Sequence, residues 1–94
     1  MLAQLLTTNY FLLTMSKTFH LIIASVGDTK FDGHAESATL PGAAGELTIL
    51  AHHEPFVTTL KKGSLRIKTA GESRQFDIEG GVLECSGNRA VVLL

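Results

Sequence analysis

Apolar and polar side chains alternate along much of the chain from Thr18 onward. Residues 65–68 (Leu-Arg-Ile-Lys) alternate apolar with charged positions, and residues 76–79 (Phe-Asp-Ile-Glu) repeat the pattern. A period of two is typical of a β-strand with one face in the core and the other in water. Residues 19–26 form a largely apolar, β-branched run that ends at Gly27. These stretches predict short strands.

Turn-forming residues divide the chain at intervals of roughly six to twelve residues. No window carries apolar residues at helical spacing over three turns. The sequence therefore predicts an all-β fold, a two-sheet antiparallel β-sandwich with apolar inner and polar outer faces. A small barrel is the alternative. The turn signals are Gly27, Gly33, Gly42 with Gly45, Lys62-Gly63, Ala70-Gly71, Gly80-Gly81 and Gly87-Asn88.

The amino-terminal segment differs from this pattern. It is apolar but contains no Lys or Arg before Lys17, and no small-residue cleavage site follows it, so a signal peptide is poorly supported. It is also too short and too polar to span a bilayer. Residues 1–17 are therefore predicted to be a disordered tail or a misassigned start, with Met15 as the natural first residue. Residues 18–94 are predicted to form the domain.

Composition narrows the function. The 94 residues carry a net charge of −1, which gives no field to hold a nucleic-acid backbone. A domain of this size buries only about 60–65% of the surface of its unfolded chain, so there is little room for an enclosed active site. The single cysteine, Cys85, excludes an internal disulfide and is expected to be a buried core residue.

The candidate chemistry is sparse. Cys85 lies in an apolar strand pattern, no serine lies in a Gly-x-Ser-x-Gly elbow, and the glycines lack a following Lys-Ser/Thr, so no catalytic residue and no cofactor are expected. His52, His53 and Glu54, with His34 as a possible further ligand, resemble a metal cluster. Adjacent strand residues point to opposite faces, however, and the zinc spacing is unfamiliar, so no metal is expected.

Residues 41–55 are the most informative segment. They run from a glycine-rich turn through a short strand into two histidines, a glutamate and Pro55. Polar groups held at the ends of a short strand are typical of a surface presented to a partner.

Residues 42–50, residues 53–55 and residues 59–67 together resemble the amino-terminal domain of the epsilon subunit of F-type ATP synthase. In that family the same order reads Gly-x-x-Gly-Glu-x-Gly-Ile, then a Gly-His-x-Pro turn, then a Lys-x-Gly-x-x-Arg-Ile strand. Residues 18–21 and residues 80–84 also look like their family counterparts. The similarity covers Thr18 to Leu94. No single element is specific, but five in the right order make coincidence improbable.

The resemblance implies a flattened β-sandwich of about ten short strands. It implies a non-catalytic rotor subunit of the central stalk, which links the gamma subunit to the membrane c-ring and contacts the alpha and beta subunits only indirectly. Such a subunit supports proton-coupled ATP synthesis from the cytoplasmic face of the plasma membrane, as a peripheral part of the complex. The implied c-ring contacts are Gly42, Gly45, Glu46 and Leu47, and the implied gamma contacts are His53 and Pro55.

The sequence departs from the family pattern in two ways. Ala51-His52 replaces Pro-Gly before the turn histidine, and Thr48 replaces a glycine. If the glycine position requires a positive φ, His52 enters that region at a cost of about 1 kcal/mol, or the turn differs. The chain also stops at Leu94, where relatives continue into a pair of inhibitory helices, and we expect a naturally short form.

A rival from another functional class is a free-standing β-sandwich module that binds a peptide or a carbohydrate. Fold class alone suggests it. Such modules usually need exposed aromatic residues or a metal, and the phenylalanines here lie mostly within strand runs.

Overall fold

The computed structural model describes residues 17–94, so the predictions for residues 1–16 lie outside the described residues. This part of the chain is all strand and turn, and the all-β prediction is confirmed. The strands are β1 (Phe19–Ser25), β2 (Asp28–Ala35), β3 (Ser37–Gly42), β4 (Gly45–Leu50), β5 (Phe56–Leu60), β6 (Gly63–Thr69), β7 (Glu72–Ile78), β8 (Gly81–Ser86) and β9 (Arg89–Leu93).

The strands pair into one continuous curled sheet, which agrees with the predicted β-sandwich but does not confirm its division into two separate sheets. Its order is β2-β1-β9-β8-β5-β3-β6-β7. β5 and β6 pair with different parts of one edge of β3, and β4 pairs along its other edge. Residues 17–94 hold nine strands, close to the ten expected. One pair departs from the antiparallel prediction, because β1 and β9 run parallel. A parallel pair needs a long connection, and here the whole chain between the first and the last strand provides it.

The curled sheet encloses a single core. Inward positions alternate with outward ones along most strands, as the period of two predicts. Burying each large apolar side chain stabilises the fold by about 1.5–3 kcal/mol. No polar or charged side chain among residues 17–94 is fully buried. The largest buried side chains are Phe19, Leu21, Ile23, Leu40, Ile49, Leu65, Ile67, Leu83 and Val92.

Arg74 lies where the two ends of the sheet face each other. β2 and β7 are the terminal strands of the pairing order, and Phe31 on β2 and Phe76 on β7 pack against the core. The Arg74 guanidinium carbon is 5.5 Å from the centroid of Phe31 and 5.4 Å from that of Phe76. One cation thus joins two aromatic rings from opposite ends of the sheet, where no backbone hydrogen bonds do so.

The outer face of the curled sheet differs in polarity between its two halves. On β3, β4, β6 and β7, which we call the polar outer face, hydrogen bonds link outer side chains, such as Thr39 to Thr48 at 3.2 Å and Ser64 to Asp77 at 2.9 Å. On β5, β8 and β9 the outer face instead exposes Val57, Val82 and Leu93, which we call the apolar outer face. Val82 and Leu93 are direct register partners, whereas Val57 lies opposite the exposed Glu84, so this face combines apolar side chains with one charged residue.

Candidate functional site

The β3–β4 hairpin is built by two glycines with different roles. Gly42 pairs with Gly45 across a turn of Ala43 and Ala44. A Cβ at Gly42 would lie 2.7 Å from the Gly45 carbonyl oxygen and 2.8 Å from a Leu47 methyl carbon, so only glycine fits. Gly45 has a φ of 140°, which side chains disfavour. The hairpin geometry therefore requires both residues.

The hairpin is tied to the end of β5 by backbone hydrogen bonds. Ala43 N–H donates to the Thr59 carbonyl oxygen at 3.0 Å, and Lys61 N–H donates to the Pro41 carbonyl oxygen at 2.8 Å. These bonds hold the hairpin tip against a second strand connection. The tip is thus a rigid feature, as a presented contact surface requires.

Glu46 and Leu47 point to opposite sides of β4. Glu46 is exposed on the polar outer face, and its Oε2 lies 3.6 Å from Nη2 of Arg66. Leu47 packs partly buried against the core. Of the four residues predicted to contact the ring, Glu46 alone carries a charged side chain, and that side chain is exposed.

The second predicted contact, residues 51–55, connects β4 to β5. His53 and Pro55 are both exposed. The His53 ring lies 4.7 Å from that of Phe56, and Nδ1 of His53 is 2.9 Å from the Glu54 carbonyl oxygen. The histidine is therefore oriented by local contacts and still open to a partner.

His52 adopts the left-handed conformation that the sequence comparison raised as one possibility. Its φ is 62°, and that of Asn88, in the β8–β9 turn, is 57°. The His52 N–H donates to Oδ1 of Asn88 at 2.7 Å. The turn thus has the positive φ that the glycine of the family pattern would adopt, and the hydrogen bond to Asn88 offsets part of the strain.

The structure does not bring the two predicted contacts together. The hairpin tip precedes β4 and the loop of His53 follows it, so they lie at opposite ends of a strand roughly 17 Å long. Sequence reasoning missed the Arg66 partner of Glu46 and the Asn88 partner of His52. The members of each pair are distant in sequence, so no local pattern indicates that they meet.

The described residues carry little reactive chemistry. Within residues 17–94, no three His, Cys, Asp or Glu side chains are placed to hold a metal ion together, which leaves the cluster of His52, His53, Glu54 and His34 without support. Burial, with a smaller contribution from the Glu84 charge, raises the pKa of Cys85 to about 11. The thiol is therefore protonated at neutral pH and is not a nucleophile. No helix in this stretch could span a membrane.

The described residues form an all-β domain with two exposed turns at opposite ends of β4. The chain belongs to the family described as ATP synthase, Delta/Epsilon chain, beta-sandwich domain, whose sequence model matches residues 18–94. It is 40% identical over 77 residues to the ATP synthase epsilon chain of Delftia acidovorans, covering 81% of this chain and 56% of that one. It is 37% identical over 81 residues to that of Herminiimonas arsenicoxydans, covering 84% and 58%. The chain thus spans little more than half the length of these relatives.

Solved structures share the fold. A chain in a cryo-EM structure of the Euglena gracilis mitochondrial ATP synthase, comprising OSCP, F1 and the c-ring, superposes with a TM-score of 0.77 and 22% identity, covering 81% of this chain and 49% of that one. A chain of the Tetrahymena thermophila mitochondrial ATP synthase central stalk and c-ring superposes with a TM-score of 0.67 and 15% identity, covering 79% and 60%.

Proposed function

We propose that this chain is a non-catalytic rotor subunit of the central stalk of an F-type ATP synthase. It links the gamma subunit to the membrane c-ring and supports proton-coupled ATP synthesis performed by other subunits. The observation that carries the proposal is the placement of two rigid, exposed turns at opposite ends of β4 in a chain of this family. A linker between two partners needs two separate contact surfaces.

The hairpin tip is the proposed c-ring contact, made by Gly42, Gly45, Glu46 and Leu47. The Glu46 carboxylate is exposed and can accept hydrogen bonds from polar loops of a partner. Arg66 at 3.6 Å limits where that carboxylate points. The glycines and the hydrogen bonds to β5 fix the backbone below it.

The opposite turn is the proposed gamma contact, made by His53 and Pro55. It runs directly into β5, whose Val57 begins the apolar outer face. Val57 is 66% exposed and Leu93 is 56% exposed. Val57 lies near this turn, whereas Val82 and Leu93 lie level with the other end of β5. Exposed apolar side chains grouped on one face are typical of a protein contact. We propose that gamma covers both.

This role sets the remaining partners and the location. Contact with the alpha and beta subunits is indirect, through gamma, and no nucleic acid is bound. The chain is peripheral to the cytoplasmic face of the plasma membrane, where the complex holds it. The rival function, a free-standing module for peptide or carbohydrate, has no specific support, because the large exposed apolar side chains among residues 17–94 are all aliphatic.

Co-expression tests the proposal. The full chain is produced with the gamma and c subunits of the same source, and the complexes are identified by native mass spectrometry. We expect a stable complex with gamma and a larger assembly that includes the c-ring. The stalk proposal would be wrong if the chain folds, as shown by circular dichroism, but is never recovered with gamma.

A further inference from the structure

Two histidines outside the proposed contact surfaces face each other on the β1–β2 hairpin. His20 and His34 are direct register partners in the antiparallel ladder, so both project from the same outer face of the sheet. Their ring centroids are 5.7 Å apart, and the ring planes are inclined by 31°. Neither ring is buried, and β2 is an edge of the sheet, so solvent ions can reach both.

The ring separation fits one shared metal ion. Zinc binds an imidazole nitrogen at about 2.0–2.1 Å, which places the centroids of two rings on one ion roughly 5–6 Å apart. The observed separation lies in this range, so a shared ion requires only that the side chains rotate to turn one nitrogen of each ring toward it. The cross-strand pair is therefore already spaced for chelation.

Asp32 adds a feature that is common around metal-binding histidines. Its Oδ1 lies 2.6 Å from Nε2 of His20, on the same outer face as the two rings. A carboxylate that accepts the outer N–H of a ligating histidine fixes the tautomer and the ring orientation. With Nε2 of His20 held by Asp32, Nδ1 is the nitrogen left for a metal.

We propose that His20 and His34 bind a divalent transition-metal ion and that Asp32 acts as the positioning residue. Imidazole ligands favour Cu²⁺ over Ni²⁺ and Zn²⁺. Two protein ligands are fewer than a structural zinc site uses, so water completes the coordination. A bound ion would cross-link the edge strand β2 to β1 and stabilise the folded state, because it binds the folded chain and not the unfolded one. The site uses none of the residues proposed for the gamma and c-ring contacts.

Isothermal titration calorimetry of the full chain without a purification tag, titrated with NiCl₂ or ZnCl₂, tests the site. We expect saturable binding of one ion per chain. His34→Gln removes this binding, whereas His53→Gln, which changes an exposed histidine of the β4–β5 loop, leaves it unchanged. Asp32→Asn keeps the stoichiometry and lowers the affinity about tenfold, as the loss of an orienting carboxylate does.

A second measurement keeps the proposal falsifiable if His34→Gln perturbs folding. Substoichiometric Cu²⁺ is added to ¹⁵N-labelled wild-type protein, and paramagnetic broadening of the amide signals locates the ion. We expect broadening first at His20, His34 and their strand neighbours. Absence of saturable binding, binding that survives His34→Gln, or broadening centred on His52 and His53 would each overturn the proposal.

Discussion

The backbone N–H of His52 donates a hydrogen bond of 2.7 Å to Oδ1 of Asn88, and both residues have positive φ. The Asn88 side chain also donates through Nδ2 to the Thr18 carbonyl oxygen at 3.0 Å. The backbone carbonyl oxygen of Asn88 accepts a hydrogen bond from His20 N–H at 3.2 Å. One asparagine thus joins the β4–β5 loop, the β8–β9 turn and the start of β1. The loop that presents His53 is fixed to the sheet through its neighbour His52.

His52 is therefore expected to respond to substitution by conformation rather than by size. His52→Gly relieves the left-handed strain and keeps the N–H, so the free energy of unfolding is expected to rise by about 0.5–1 kcal/mol. His52→Val places a β-branched residue at positive φ and is expected to lower it by about 1–2 kcal/mol. Urea denaturation measures both.

The same pair of substitutions at His53 is the control, because its φ is not positive. There Gly is expected to give no gain over Val. If Gly and Val at position 52 have equal effects, the left-handed turn is wrong.

The sequence predicted some of these features and not others, for physical reasons. Alternation such as that of Leu65 to Lys68 reports which face is buried, so strands and core followed directly. Pairing is non-local, and neither the parallel β1–β9 ladder nor the contact of Arg66 with Glu46 leaves a local signal. The positive φ of His52 was foreseeable only by comparison with a family that has glycine there. The sequence identifies its partner Asn88 as a turn residue but does not show that its side chain bonds to His52 and Thr18.

Charge reversal at the hairpin tip is expected to weaken ring association without unfolding the domain. Glu46→Lys removes the carboxylate acceptor and places a cation beside Arg66, but the pair is exposed, so the change in stability is expected to stay below about 1 kcal/mol. Loss of a charged hydrogen bond to the ring corresponds to roughly a tenfold or greater loss of affinity. Binding to purified c-ring in detergent and urea denaturation measure the two effects.

Glu72→Lys is the matched control, since it makes the same charge change at an exposed position of β7. It is expected to leave ring binding unchanged. Equal losses in both variants would indicate a net-charge effect, and unfolding of Glu46→Lys would make Glu46 a structural residue.

Arg74 is expected to stabilise the open side of the curled sheet. Arg74→Ala removes both ring contacts, and at about 0.5–1 kcal/mol each the free energy of unfolding is expected to fall by about 1–2 kcal/mol. Arg74→Lys keeps the charge but not the planar group, so an intermediate loss is expected. Urea unfolding monitored by circular dichroism checks that the stability falls in the order wild type, Arg74→Lys, Arg74→Ala. Equal stability of the Ala variant and the wild type would refute a role for the stacked guanidinium.

Cys85 is expected to make stability fall in alkaline solution. Its pKa is raised from 9.0 to about 11 in the folded state, so between these values the folded chain holds a proton that the unfolded chain releases. The contribution is complete below about pH 9 and is lost as pH rises through the folded value. Relative to wild type, Cys85→Ala is expected to show a shallower decline of unfolding free energy between pH 9 and 11. Parallel declines would contradict the buried thiol.

The apolar outer face is expected to make the isolated chain self-associate. Val57, Val82 and Leu93 are exposed together on neighbouring strands, and the half-buried Val91 lies on the same face, so burying these side chains against a second copy removes apolar surface from water. The average mass in analytical ultracentrifugation is expected to rise with concentration. Leu93→Gln is expected to suppress the rise, whereas Leu50→Gln, which changes an exposed leucine on the polar outer face, leaves it. Because gamma is proposed to cover the same face, addition of gamma is expected to replace self-association by a one-to-one complex. Self-association that persists in the gamma complex would place the gamma contact elsewhere.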